Sequence, residues 1–159
     1  MGSRLMVFVP GRPIPQGSKR PMMVRGKNPH PVMIEGNKNL LDPWRSKVTY
    51  EVARAALEQP FASIPRGIPV GVRLVFVFDR PQSHYGTGRN ADKVKEIAPK
   101  YPSGAPDTDK LTRAIFDSIT DSQVWGDDGQ VVWLEARKVW AGTETHSGQG
   151  VHIQLGVMR

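Results

Sequence analysis

PDTDKLTRAIFDSITDSQVWGDDGQ, residues 106–130, combines an amphipathic segment with two pairs of carboxylates. Residues 108–120 carry apolar or small side chains at spacings of three and four, a pattern that predicts a helix with one buried face. That face is expected to hold Leu111, Ala114, Ile115, Ser118 and Ile119. The segment therefore predicts a helix that packs on a sheet.

Strands are predicted on both sides of this helix. Residues 70–78, VGVRLVFVF, alternate strictly, and apolar Val75 and Val77 on the second face favour a central strand. Residues 131–140 and 151–157 also alternate, and residues 5–9 form a short apolar strand. Strand, helix and strand between residues 70 and 140 suit a crossover connection, which we expect an antiparallel hairpin to follow.

A second helix and a hairpin are predicted nearer the start of the chain. Asp42 as N-cap and Pro43 at the first helical position suggest a helix start. Trp44, Val48 and Val52 continue at helical spacing, so Trp44 is expected in the core rather than stacked on a base. Residues 22–25 and 32–35 are expected to pair. The fold class predicted is α/β (α+β): one domain over residues 1–159, with a mixed sheet and two main helices.

Composition narrows the possible functions. The 159 residues include no cysteine, which excludes disulfides and thiolate metal sites and fits a reducing cytoplasm. The apolar runs are too short to cross a membrane, and the first residues lack a signal-peptide layout. The net charge of +7 suggests a polyanionic partner, although a basic charge can also serve solubility alone.

The cations concentrate in two regions. Residues 1–30 carry six Lys or Arg and no acid, partly within the proline-rich segment GRPIPQGSKRP. Residues 80–105 are expected to form a flexible basic loop that orders on DNA, with a short helix near 91–97. For the proline-rich segment, the alternative to contact with DNA is a solvated basic loop. For residues 80–105, the alternative is a disordered insertion. The candidate DNA-binding residues are Lys19, Arg20, Arg25, Lys27, Arg80, Arg89 and Lys93.

The two carboxylate pairs suggest a magnesium site. Separately, Asp107 and Asp109 can cap a helix, and Asp127 and Asp128 can form a turn. A helix of about 11 residues rises roughly 16 Å, and residues 121–127 can span about 23 Å when extended. The chain is therefore expected to return, so that both pairs meet around Mg²⁺, which prefers oxygen ligands.

The motifs GRPIPQGSKRP, PDTDKLTRAIFDSIT and VWGDDGQVV with a trailing Arg-Lys resemble, in order, the RusA family of Holliday junction resolvases. The resemblance covers most of the chain. It implies a small homodimeric endonuclease that uses Mg²⁺ to nick four-way DNA junctions at symmetric positions, and many members are encoded by phages or prophages.

The resemblance also implies roles for individual residues. The family's metal-dependent chemistry maps onto Asp107, Asp109 and Asp128. Asp127 is a further candidate metal ligand from the geometric argument above, not from the resemblance. A functional lysine of the family matches Arg113, whereas this chain has a lysine at Lys110 instead. Either cation is a candidate helper, although Arg is a poorer proton donor.

The sequence thus predicts a cytoplasmic Mg²⁺-dependent junction endonuclease, of a bacterial cell or a phage-infected host. Mn²⁺ is a possible substitute, and no membrane partner or nucleotide cofactor is expected. A related nuclease acting on other branched or phage-packaging intermediates and a non-catalytic branched-DNA-binding protein are the alternatives.

Overall fold

The chain alternates strands and helices around one main sheet. The computed structural model describes residues 4–143 and 146–159, and describes Glu35 by its backbone alone. The elements are β1 (Arg4–Pro10), β2 (Lys19–Val24), β3 (His30–Glu35), α1 (Lys38–Glu58), β4 (Val70–Phe78), α2 (Thr108–Asp121), β5 (Val131–Trp140) and β6 (Gly150–Val157). This is a single-domain α+β architecture with a mixed sheet.

The main sheet has the strand order β1-β6-β4-β5. The predicted crossover is confirmed, because β4 and β5 pair in parallel and α2 connects them. The predicted hairpin after β5 is wrong, since β6 pairs with β1 and β4 instead. Between β1 and β4, the β6 residues Val151, Ile153 and Leu155 are at most 1% exposed. A central position in the sheet buries more of their apolar surface than an edge position beside β5 would.

Helices α1 and α2 cover one face of this sheet, and their apolar stripes form the core with it. The face predicted for α2 is confirmed, as all five of its residues are buried. Trp44 is also buried, as expected. Within the described residues, no helix is long and apolar enough to span a membrane.

The predicted start of α1 is wrong by five residues, since the N-cap is Asn37 and not Asp42. The helix begins at Lys38, and Pro43 lies inside it. Leu41 is only 1% exposed, so starting the helix earlier places this side chain in the core. The backbone N–H groups of Leu40 and Leu41 both donate to the carbonyl of Asn37, and Pro43 interrupts the ladder only near its beginning.

The predicted hairpin is confirmed, with β2 and β3 antiparallel in a separate two-stranded sheet. All six residues of β2 are exposed. This ribbon stands apart from the main core and presents its cations to solvent.

The loop after β4 contains turns instead of the helix expected near residues 91–97. Short 3-10 turns span Gln82–His84 and Gly88–Asn90, and a bridge joins Tyr85 to Val94. The loop is attached to β5 through Trp140, whose Nε1–H donates to the carbonyl of Pro99 at 3.0 Å. The glycines, prolines and polar residues of this segment offer no apolar stripe for a helix to bury.

The sheet face away from α1 and α2 is called here the open sheet face. It consists of alternate residues that share rows in the strand register. Its members are Arg4, Met6 and Phe8 of β1, His152, Gln154 and Gly156 of β6, Gly71, Arg73 and Val75 of β4, and Trp133, Glu135 and Arg137 of β5.

The outer edge of β1 is covered by a side chain. Gln59, just after α1, donates from Nε2 to the carbonyl of Met6 at 2.6 Å and accepts the N–H of Met6 at 3.1 Å.

Candidate active site

The first carboxylate pair lies at the N-terminus of α2. Asp107 occupies the N-cap position, yet its side chain makes no capping hydrogen bond, and Asp109 lies in the first turn. Their side chains are 59% and 64% exposed. The Asp107 carboxylate therefore does not act as a helix cap and points to another role.

The two candidate cations occupy different environments on α2. Lys110 Nζ lies 3.3 Å from Oδ2 of Asp107 and donates to Oγ of Ser18 at 3.1 Å. Arg113 reaches Asp109 only at 3.9 Å and is 69% exposed, against 38% for Lys110. Lys110 is thus the less exposed and more closely paired of the two cations.

A cavity of about 370 Å³ opens beside Asp107. Three segments build it: the proline-rich segment, the start of α1 and the start of α2. The backbone N–H of Gln16 donates to the carbonyl of Lys110 at 3.0 Å, and Asn37 donates from Nδ2 to the carbonyl of Pro15 at 2.7 Å. Lys110, Ser18 and Arg20 give the wall its cationic and hydroxyl groups.

Lys138 of β5 fixes the segment that leads into this site. Its Nζ donates to the carbonyls of Gly104 at 2.7 Å and Pro106 at 2.9 Å. The ammonium group therefore orients the peptide immediately before Asp107.

The second carboxylate pair lies in the turn before β5. Oδ1 of Asp127 accepts the N–H of Gly129 at 2.7 Å, while Oε1 of Gln130 accepts the N–H of Asp127 at 2.9 Å. The turn interpretation therefore holds for Asp127. Within residues 4–143 and 146–159, the exposed Asp128 carboxylate makes no hydrogen bond or ion pair.

Buried Gln130 anchors this turn. It also accepts the N–H of Gly126 at 3.1 Å, and its Nε2 donates to the carbonyls of Pro65 at 2.7 Å and Ile68 at 2.9 Å. One amide thereby joins the turn to the loop before β4.

The two pairs lie at opposite ends of α2. Asp107 is the N-cap of the helix. It lies near the second half of β5, because Lys138 of that strand donates to the carbonyl of Pro106. The other end is tied to the turn by Trp125, whose Nε1–H donates to Oγ1 of Thr120 at 2.7 Å. Val131, just after the turn, and Lys138, beside Asp107, are seven residues apart on extended β5, which is about 23 Å. The expected return of Asp127 and Asp128 to Asp107 within one chain is therefore wrong.

No group of three or more Asp, Glu, His or Cys in the described part of the chain is arranged to hold a metal ion. The carboxylate oxygens have the right chemistry for Mg²⁺, but the described residues of one chain do not bring enough of them together.

The candidate DNA-binding cations are all exposed except Arg80. Lys19, Arg20, Arg25 and Lys27 are exposed on the β2–β3 hairpin, and Arg89 and Lys93 are exposed on the loop after β4. Arg80 differs, because it donates to the carbonyl of Pro99 at 3.0 Å and lies 5.3 Å from the Trp140 ring. Arg80 therefore supports the loop.

Three residues that shape the two sites lie within the quoted motifs, but sequence reasoning assigned none of them a contact. Ser18, Lys138 and Gln130 lie far along the chain from the groups they contact, with separations of 92, 32 and up to 65 residues. No local motif marks such contacts, which only the folded chain brings together.

Comparison with known proteins places this chain in a class of nucleases. The family model described as Endodeoxyribonuclease RusA matches residues 10–153, so the chain belongs to this family, as the motifs predicted.

A particular relative is the protein named crossover junction endodeoxyribonuclease rusA of Lactococcus phage r1t, which is 39% identical over 49 residues. The aligned part covers 31% of this chain and 37% of that relative. The chain thus matches little more than a third of the relative's length.

Proposed function

We propose that this chain is a divalent-metal-dependent endodeoxyribonuclease that nicks four-way DNA junctions as a homodimer. The observation that carries the proposal is the Asp107 carboxylate, which stands at an N-cap position without capping and beside a cation-lined cavity. The family membership supports nuclease chemistry, and the name of the phage relative supports a branched DNA substrate.

Asp107, Asp109 and Asp128 are the proposed metal ligands. All three have exposed carboxylates, whereas Asp127 is engaged in its own turn and is the weaker candidate. Mg²⁺, or Mn²⁺ in its place, would supply a Lewis acid that activates water and stabilises the leaving oxygen. Lys110 is proposed to neutralise charge on the bound phosphodiester.

The separation of the carboxylate pairs favours a site shared by two chains. In a two-fold dimer with antiparallel α2 helices, Asp107 and Asp109 of one protomer would lie near Asp128 of the partner subunit. Such a dimer presents two equivalent sites, which suits the approximate two-fold symmetry of a four-way junction. The cations of β2 and of the turn that follows it are proposed to follow the DNA backbone.

Cleavage of a synthetic four-way junction, with and without Mg²⁺, tests the activity. The wild-type chain should nick the junction only with the metal. Asp109→Asn and Asp128→Asn should abolish nicking without weakening binding, because each change removes negative charge near phosphates. Asp42→Asn, on exposed α1 surface, is the matched control. A wild-type chain that binds the junction yet never nicks it would favour the non-catalytic binder.

Mixing the two inactive variants tests whether the site is shared. A dimer of one Asp109→Asn chain and one Asp128→Asn chain retains one intact shared site and should nick one strand. If each site belonged to a single chain, the mixture would stay inactive.

Salt dependence tests the DNA contacts. Affinity should fall by orders of magnitude from low to physiological salt if six or more phosphates are contacted. A flat profile would contradict a largely electrostatic interface.

A further inference from the structure

The open sheet face exposes aromatic side chains that the core does not use. Trp133 is 43% exposed and Phe8 38% exposed, whereas Trp44, Trp125 and Trp140 are at most 9% exposed. The Phe8 ring lies 4.5 Å from the His152 ring. With Met6, which is 60% exposed on the same face, these rings leave apolar surface uncovered, and a contiguous patch of this kind marks a candidate binding surface.

Two arginines share the open sheet face with Trp133. The Arg73 guanidinium lies 5.9 Å from the Trp133 ring, and Arg4 is exposed at the end of the same row as Trp133. The acid on this face, Glu135, already pairs with Arg73 at 2.9 Å. The face therefore has a net positive charge.

A shallow cavity of about 160 Å³ lies between Arg4 and Trp133. Gly71 and Gly156 occupy the middle of this row. The Met158 side chain lies over Gly71 and forms part of the cavity wall. Gln154 lines the cavity and brings an amide that can both donate and accept hydrogen bonds. Because drug-sized ligands fill about 300–1,000 Å³, this cavity suits a smaller planar group.

We propose that the open sheet face binds unpaired nucleotides of a single DNA strand. Trp133 stacks on one base, Gln154 hydrogen-bonds to a base edge, and Arg4 contacts a phosphate. Exposed aromatics on a sheet with cations beside them suit this ligand, because every base has a face that stacks and every linkage carries a charge. The surface lies across the sheet from α2, so it shares no residue with the carboxylate pairs.

Titration with a short oligothymidylate in EDTA tests this surface without the metal needed for the proposed cleavage. Trp133 is the most exposed of the four tryptophans, so bound bases should quench the intrinsic fluorescence of the wild-type chain. Trp133→Leu should abolish most of the quenching and weaken binding of a labelled oligothymidylate at least about fivefold. Arg4→Gln should reduce the salt dependence of binding by about one phosphate contact.

Matched substitutions on α1 provide the controls. Tyr50→Leu removes an exposed aromatic ring and Arg54→Gln an ion-paired arginine, both outside the sheet. These variants should bind as the wild type does. Equal affinity of the wild type, Trp133→Leu and Arg4→Gln would overturn the proposal. It would also be overturned if Trp133→Leu stayed folded but lowered the mass in solution, since the face would then be a contact between copies of this chain.

Discussion

Lys110 Nζ lies 3.3 Å from Oδ2 of Asp107, one turn apart at the start of α2. The side chains of both residues are partly exposed, so this pair adds little to stability. In the proposed function this pair places a cation where a phosphodiester would meet the carboxylates, and the same ammonium donates to the Ser18 hydroxyl.

Lys110 is expected to contribute more to cleavage than Arg113. Lys110→Gln should lower the single-turnover rate of junction cleavage about 10²-fold, the scale for losing one group that stabilises transition-state charge. Arg113→Gln, which removes a more exposed cation, should have a smaller effect. A larger loss for Arg113→Gln, measured on the same junction in Mg²⁺, would reverse the assignment.

Substitutions of the adjacent Asp127 and Asp128 are expected to have different effects: the first on stability, the second on activity. Asp127→Ala removes the acceptor for the Gly129 N–H and should lower the free energy of unfolding by about 1 kcal/mol. Asp128→Ala should leave that free energy nearly unchanged, because its carboxylate makes no such contact in the described residues. Urea unfolding of the two variants checks this, and equal losses would contradict the separate roles.

Gln130 is expected to be a large contributor to stability among the polar residues. Gln130→Ala leaves two N–H groups and two carbonyls without their partner. The expected loss is about 2–4 kcal/mol of unfolding free energy, since each unsatisfied buried group costs about 1–3 kcal/mol and water reaches some of them. Gln82→Ala, at an exposed position, is the control, and similar urea midpoints for both variants would refute the prediction.

His152 is expected to make stability fall in acid. Burial, and secondly repulsion from His146, lower the pKa of His152 below its ordinary value of 6.5. As the pH falls below about 6.5, His152 becomes protonated in the unfolded chain before it does so in the folded chain. The free energy of unfolding therefore decreases between about pH 6.5 and the lower pKa of the folded state. His152→Gln should flatten urea midpoints measured across this interval. An unchanged pH dependence would exclude His152 as its source.

Elements with strong periodicity were predictable from the sequence. The strict alternation of β4 and the apolar stripe of α2 arise because one face of each must be buried, so their bounds were predicted to within one residue. The start of α1 could not be predicted in this way. The local Asp42-Pro43 signal for a helix start competes with the burial of Leu41, which lies just before it.

The separation of the carboxylate pairs could not be predicted from chain length alone. Residues 121–127 are long enough to return along α2. However, Trp125 is only 2% exposed, and its backbone forms a β-bridge with Ile64. These contacts hold the segment at the far end of the helix. Where an indole will be buried depends on the assembled core, which no local motif encodes.

The Gln59 amide occupies the place beside Met6 that the peptide group of a neighbouring strand would otherwise take. A sheet with an unprotected border can recruit strands from other molecules and grow into insoluble assemblies. Here growth beyond β1 would first require Gln59 to be displaced. The Gln59 side chain thus protects the β1 edge from pairing with strands of other molecules. The opposite edge strand, β5, has no such amide among the described contacts.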